Sequence, residues 1–140
     1  MQLTSANAKD WLADQEPSWR GIESKPIQGS VGPREEIALE LCEGLIDITA
    51  ALFSVSGKDL RRSGRTNLGV ARVRQIAMYV AHVILQMSMS DIGRGFGRDR
   101  TTVIHACHLI EDLRDDEDFD RVVAIAERVA LAAFRNRLAL

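Results

Sequence analysis

A chain of 140 residues with 46% apolar and 27% charged side chains has the composition of one globular domain with some excess length, able to bury a core of its own. No run approaches the ~18 uninterrupted apolar residues of a membrane span, and the opening MQLTSANAKDWLADQEP lacks the basic flank and apolar segment of a secretory signal, so a cytoplasmic protein is expected. The net charge of −2 hides an uneven distribution: residues 1–57 hold 4 Lys+Arg against 9 Asp+Glu, residues 58–100 hold 9 against 3, and residues 101–140 hold 5 against 8. A cation-rich middle in an acidic chain points toward an anionic partner such as nucleic acid. Aromatic residues at 5% leave little for stacking on single-stranded bases.

Residues 1–33 hold all three prolines, Pro17, Pro26 and Pro33, and no apolar periodicity, which predicts a flexible polar extension ahead of one domain over 34–140. Trp11 and Trp19 stand out there as side chains able to dock on the domain or on a partner. From Arg34 the residues Ile37, Leu41, Leu45, Ile48, Leu52 and Val55 recur at steps of three and four, the stripe of an amphipathic helix of about six turns. Ser56 and Gly57 close it, Lys58 to Arg62 fits a short helical turn, and Ser63 to Gly69 reads as a loop. A second long helix is expected from about Val70 to Met87, with Val73, Ile76, Ala77, Val80, Ile84 and Met87 facing inward. Cys42 and Cys107, each with apolar neighbours on a helix, read as buried thiols rather than as a disulfide or metal ligands.

The stretch SMSDIGRGFGRDRTTVIHACHLIEDL, residues 88–113, carries the most information. Ser88 followed three residues later by Asp91 has the spacing of a capping box, so a short helix begins at Met89 and stops near Gly95 and Gly97. Asp99 then caps a new helix with Thr101 and Thr102 in its first turn and Val103, Ala106 or Cys107, Ile110 and Leu113 toward the core. Two helices joined by a tight glycine-containing turn make a helix-turn-helix, whose second helix lies in the major groove of DNA. Arg100, Thr101, His105 and His108 are left facing outward with Thr102 beside them, and Arg94 and Arg98 flank the turn.

The segment RVRQIAMYVAHVILQMSMSDIGRGFGRDRTTVIHAC resembles the C-terminal DNA-binding domain of the bacterial replication initiator DnaA, whose signature runs close to "ARxRQ…A…S…EIG…FGGRDHTTV.HA". The likeness covers about residues 35–120 and is densest over 70–114. It implies an all-α, Trp-repressor-like helix-turn-helix fold and sequence-specific binding of double-stranded DNA. It also implies that Asp99, Arg100 and Thr101 hold the base-reading places, with Thr102 close by. Arg74, His82 and the backbone around Met89 and Ser90 match phosphate-contacting places, and Arg61, Arg62 or Arg65 corresponds to a basic loop reaching into the adjacent minor groove. Elementary chemistry agrees: an aspartate can accept from cytosine N4, a threonine can offer its methyl to thymine, and an arginine can grip guanine with two donors. Arginines also suit a narrow A·T-rich minor groove.

Three departures from the signature bear on the target. "FGRD" replaces "FGGRD", Arg100 replaces a histidine, and the loop RRSGRTNLGV is longer. A DnaA box and a related, shifted sequence are both compatible with such a head.

No Gly-x-x-x-x-Gly-Lys-Ser/Thr run occurs in these 140 residues, so nucleotide binding is not expected and a small regulator of transcription or of replication initiation is. His105, Cys107 and His108 point in different directions on one helix and do not converge as zinc ligands do. No nucleophile, base and orienting partner can be assembled from the motif, so no enzyme activity and no cofactor are expected, and His82, His105 and His108 read as surface or phosphate-facing groups. The acidic run EDLRDDEDFD, residues 111–120, reads as a solvated helix end and loop, with protein docking as the other reading.

In FDRVVAIAERVALAAFRNRLAL, Phe119, Val122, Val123, Ala126, Val129, Ala130, Ala133 and Phe134 form one apolar face, and Ile125, Leu131 and Leu138 widen it. The stretch also outlasts the final helix of the resembled family, which predicts an extra-long C-terminal helix whose first half closes the core and whose second half supports self-association, which would let two heads bind paired sites. From another class of function, the same fold can serve as a protein-docking module without DNA. DNA as the ligand requires the cation-rich segment to share a face with the start of the recognition helix.

Overall fold

The structure, a computed structural model, describes residues 32–62 and 67–137. The readings placed on residues 1–31, on Arg65 and on Leu138 lie outside the described residues. Among the described residues six helices follow one another: α1 Pro33–Phe53, α2 Gly57–Arg61, α3 Leu68–Val83, α4 Met89–Phe96, α5 Arg100–Leu113 and α6 Glu117–Phe134. No strand occurs among the described residues, and no helix of theirs is long and apolar enough to cross a membrane. The fold is all-α, as the sequence predicts.

Local chemistry explains most of the boundaries. Pro33 stands in the first turn of α1, where its missing N–H costs nothing, with Glu35 and Glu36 beside it at the positive end of the helix. Asn67 starts α3 by accepting from the Val70 amide at 2.8 Å, Ser88 starts α4 by accepting from Asp91 at 3.1 Å, and Asp99 starts α5 by accepting from Thr102 at 2.8 Å. Asp116 starts α6, its Oδ1 accepting from the amides of Asp118 and Phe119. Each cap satisfies backbone donors that have no partner inside the helix.

The core is organised around α3, which packs against α1, α2, α4, α5 and α6. Being surrounded, α3 is buried on nearly its whole circumference: Val73, Ile76, Ala77, Met78, Tyr79, Val80 and Ala81 all lie in the core. The one-sided stripe expected for it is therefore too narrow, and the helix stops at Val83 rather than Met87, through a left-handed Gln86. In α1 the buried face is Ala38, Leu41, Cys42, Leu45, Ile46 and Thr49, rotated from the expected stripe. Ile37 and Leu52 are exposed, at 50% and 38%, and α1 approaches α4 so closely at Cys42 that a side chain on Gly95 would collide with its Sγ.

The acidic run also differs from expectation. Glu111 is buried and accepts from the Tyr79 hydroxyl at 2.6 Å. Arg114 donates to Asp120 at 2.6 Å and to Glu127 at 2.9 Å, with its guanidinium 5.7 Å from the Tyr79 ring centroid. Asp112, Asp115, Glu117 and Asp118 are solvated as read, but Glu111 and Asp120 belong to a polar joint among α3, α5 and α6. Burial is the largest influence on the Arg114 guanidinium and works against its charge, yet Asp120 and Glu127 together raise its pKa above the ordinary arginine value. In α6, Val123, Ala126, Ala130 and Phe134 face the core, while Val122 and Ile125 are 37% and 53% exposed. The helix runs 18 residues and ends at Phe134.

Cys42 and Cys107 are buried, unbridged thiols, as expected. Burial pushes each up to about 12, which keeps them protonated and unreactive at neutral pH.

Candidate nucleic-acid interface

The interface is built from α4, α5 and the turn between them. Gly97 ends α4 in the left-handed region at φ 66°, a conformation that suits glycine, and the Arg98 amide returns to the Gly93 carbonyl at 2.8 Å. A side chain at Gly93 would meet the Arg98 carbonyl at 2.6 Å, so glycine there lets the turn fold directly onto α4. The result is the tight corner that "GRGFGRD" predicts, one residue after which α5 begins.

On α5 the residues divide cleanly. Val103, Ala106, Cys107 and Ile110 are buried against the core, whereas Thr101, Thr102, His105 and His108 are exposed and Arg100 is half-buried. Cys107 thus points away from His105 and His108. The expected base-reading residues Asp99, Arg100, Thr101 and Thr102 sit together at the N-terminal end of α5 with His105 one turn on. The Asp99 carboxyl is held below its ordinary pKa, first by the Thr102 amide and also by the Thr102 hydroxyl. Its charge is therefore fixed where a base edge would meet it.

The cations divide too, in a way that was not read from the sequence. Arg61 pairs with Glu43 and Asp47 of α1, and Arg94 pairs with Glu35 and Asp91. Those charges are neutralised locally. Arg74 and Arg98 instead donate to backbone carbonyls. Arg74 reaches the carbonyls of Leu60 at 2.8 Å and Asp59 at 3.1 Å, and Arg98 reaches that of Arg62 at 2.6 Å and that of Gly97 at 3.3 Å. A carbonyl accepts the hydrogen bond without cancelling the charge, so Arg98 holds the end of α2 while keeping its positive charge, and Arg74 ties the same end to α3. Lys58 and Arg62 are exposed beside them.

Two residues expected at phosphate are inside the protein. Arg74 is 7% exposed and bound to the end of α2 as described. His82 is 1% exposed, its Nδ1 donating to the Met87 carbonyl at 2.9 Å. Burial lowers its pKa to about 4, against a smaller opposing effect of that hydrogen bond. A neutral, enclosed imidazole is not a surface group, and its place is to fix the turn between α3 and α4. Met89 is likewise buried and Ser90 half-buried, with both in the first turn of α4, whose N-terminal backbone amides are the donors that a phosphate would use.

Residues 42–110 match the family described as bacterial dnaA protein helix-turn-helix. Over 97 residues the chain is 37% identical to chromosomal replication initiator protein DnaA 1 of Protochlamydia amoebophila, an alignment taking in 69% of this chain and 21% of that protein. Over 119 residues it is 34% identical to the DnaA protein of a Bradyrhizobium species, taking in 83% of this chain and 25% of that one. The chain thus spans about a fifth to a quarter of the length of these curated relatives. Among solved structures, the fold matches a crystal structure of a DNA replication initiation factor with a TM-score of 0.67 at 26% identity, over 95% of this chain and 43% of the other. It also matches replication initiator DnaA bound to AMPPCP and single-stranded DNA, with a TM-score of 0.63 at 27% identity, over 88% of this chain and 40% of the other.

Proposed function

We propose that this chain, whose residues 42–110 match the bacterial DnaA helix-turn-helix family, binds double-stranded DNA sequence-specifically, with the N-terminal end of α5 in the major groove. Asp99, Arg100, Thr101 and Thr102 read bases there and His105 lies against the groove wall. The first turn of α4, at Met89 and Ser90, holds phosphate through its amides, and Arg62 with Arg65 reaches the adjacent minor groove. The carrying observation is the exposed threonine pair capped by Asp99 on the same side as Arg62, whose carbonyl is 2.6 Å from the Arg98 guanidinium.

The physiological role we assign is that of a small, non-catalytic regulator, acting on transcription or by competing for initiator sites on the nucleoid. Neither nucleotide nor cofactor enters this role. Val122 and Ile125, exposed in the first half of α6 rather than in the second half expected to self-associate, favour pairing of two copies, which would place two heads on paired sites; a strictly monomeric mass in light scattering at micromolar concentration would remove this part.

The test is selection from a random duplex library at near-physiological salt, since affinities without a stated salt concentration carry no meaning. Enrichment of a DnaA-box-like motif supports competition at initiator sites, and enrichment of another motif supports a dedicated regulator. Absence of any enriched motif refutes the reading.

A further inference from the structure

The arginine in the helix-turn-helix corner has partners that a phosphate-binding arginine would not need. Arg98 donates through Nη2 to the carbonyl of Arg62, 36 residues earlier, and through Nη1 to the carbonyl of Gly97, the left-handed residue of the corner itself. One planar guanidinium therefore spans two backbone segments far apart in sequence. Arg62 is the C-cap of α2, in extended conformation, and the next carbonyls back, Asp59 and Leu60, are held by Arg74 from α3. The whole end of α2 is thus fastened by two guanidiniums, one anchored on the core helix and one on the reading corner.

From this we infer that Arg98 is a positioning residue: it fixes the basic segment at Arg62 against the recognition-helix corner, so that the contact made by Arg62 and the base reading by α5 share one rigid register. The inference rests on the DNA-binding reading above for its consequence, but not for its geometry. It assigns Arg98 no direct phosphate contact. Its effect on binding passes through Arg62.

Binding of the whole chain is measured on the selected site with its selected flank and with a scrambled flank, at one salt concentration. The variants are Arg62→Ala, Arg98→Ala, Arg98→Lys and the Arg62→Ala/Arg98→Ala pair. Arg98→Ala should cost about tenfold on the selected flank and much less on the scrambled one, on the scale of one lost specific contact. In the Arg62→Ala background the same change should cost less than about twofold, the signature of two residues acting through one contact. Lysine at 98 should not restore flank discrimination, because one ammonium cannot span both carbonyls. A loss that is uniform across flanks, additive with Arg62→Ala and rescued by lysine would make Arg98 a phosphate contact and overturn the inference.

A second measurement needs no DNA. In Arg98→Ala the backbone amide of Arg62, which donates to the Asp59 carbonyl, should exchange with solvent about tenfold faster while the core amides of α3 and α5 stay protected. Unchanged exchange at Arg62 would overturn the inference by itself. If the wild-type chain selects no sequence while the exchange result holds, the functional reading has failed and the positioning role stands.

Discussion

Arg114 and Arg98 both bridge helices, but they end on opposite kinds of acceptor. Arg114 lies at the joint of α3, α5 and α6, with its side chain 11% exposed, and meets two carboxylates, Asp120 and Glu127. Arg98 lies at the corner of the helix-turn-helix and meets two backbone carbonyls. The first arrangement cancels a charge inside the protein. The second uses the donors of a guanidinium as mechanical ties to backbone. The same residue type therefore marks a stability joint at one end of α5 and a backbone frame at the other, and only the acceptor tells them apart.

The sharpest way to break the comparison is to remove each arginine and ask what is lost. Arg114→Ala leaves Glu127, 11% exposed, and the more solvated Asp120 without their cation. Stranding buried charges in this way costs about 3–5 kcal/mol, so chemical denaturation should show a large loss of stability. Arg98→Ala at its more solvated corner should lose far less stability. If the two variants were equally unstable, the division between a joint and a frame would be wrong.

His82 gives the next largest effect. Its pKa in the folded state is about 4 against an ordinary 6.5, mainly because it is buried. As pH falls through 6.5 the unfolded chain takes up a proton that the folded chain does not accept until about pH 4. Stability should therefore fall across that window, by about 2 kcal/mol between pH 7 and pH 5 from this residue, and show no dependence on it above pH 7. Denaturation curves of wild type and His82→Gln across this range measure the difference. A His82→Gln variant that loses as much stability on acidification as wild type would mean that the interior charge balance lies elsewhere.

On the frame side, Thr101→Ala removes an exposed methyl and hydroxyl and leaves the Asp99 cap in place, because the cap's donor is the Thr102 amide. It should lower discrimination between the selected site and single-base variants by about 1 kcal/mol, at the low end for a base contact, with melting unchanged. Sequence preference identical to wild type would take Thr101 out of the reading set.

What the sequence made legible follows from the range of the interactions involved. The corner was readable because Ser88, Gly97 and Asp99 act on amides and dihedral angles within three residues of themselves, and those effects are properties of the residue types. The inward face of α5 was readable for the same reason, since its register starts at its cap. The all-round burial of α3 was not, because it comes from five neighbouring helices and leaves no mark in α3's own periodicity. The exposure of Ile37 and Leu52 was not legible because the buried side of α1 is set by its neighbours, as where Gly95 of α4 admits Cys42 at close range. The carbonyl ties of Arg74 and Arg98 were invisible for a simpler reason: every residue carries a carbonyl, so no sequence pattern names the acceptor.

Arg61 and Arg62 sharpen the comparison at its finest scale, because they are adjacent, both exposed, and alike in sequence. Arg61 is turned to α1, where Glu43 and Asp47 accept from it, and all three side chains are solvated, at 37%, 55% and 73% exposure. An exposed pair of this kind is worth at most about 1 kcal/mol. Arg61→Ala should therefore cost little stability, and little affinity, because its charge already has partners. Arg62 has its carbonyl tied by Arg98 and its side chain in solvent beside the reading corner. Arg62→Ala should leave melting unchanged and reduce the slope of log affinity against log salt by about 1, the release of one phosphate-bound cation. Equal salt slopes for the two variants would mean that DNA pulls Arg61 away from its carboxylates, and the division between neutralised and retained charge would then describe only the unbound protein.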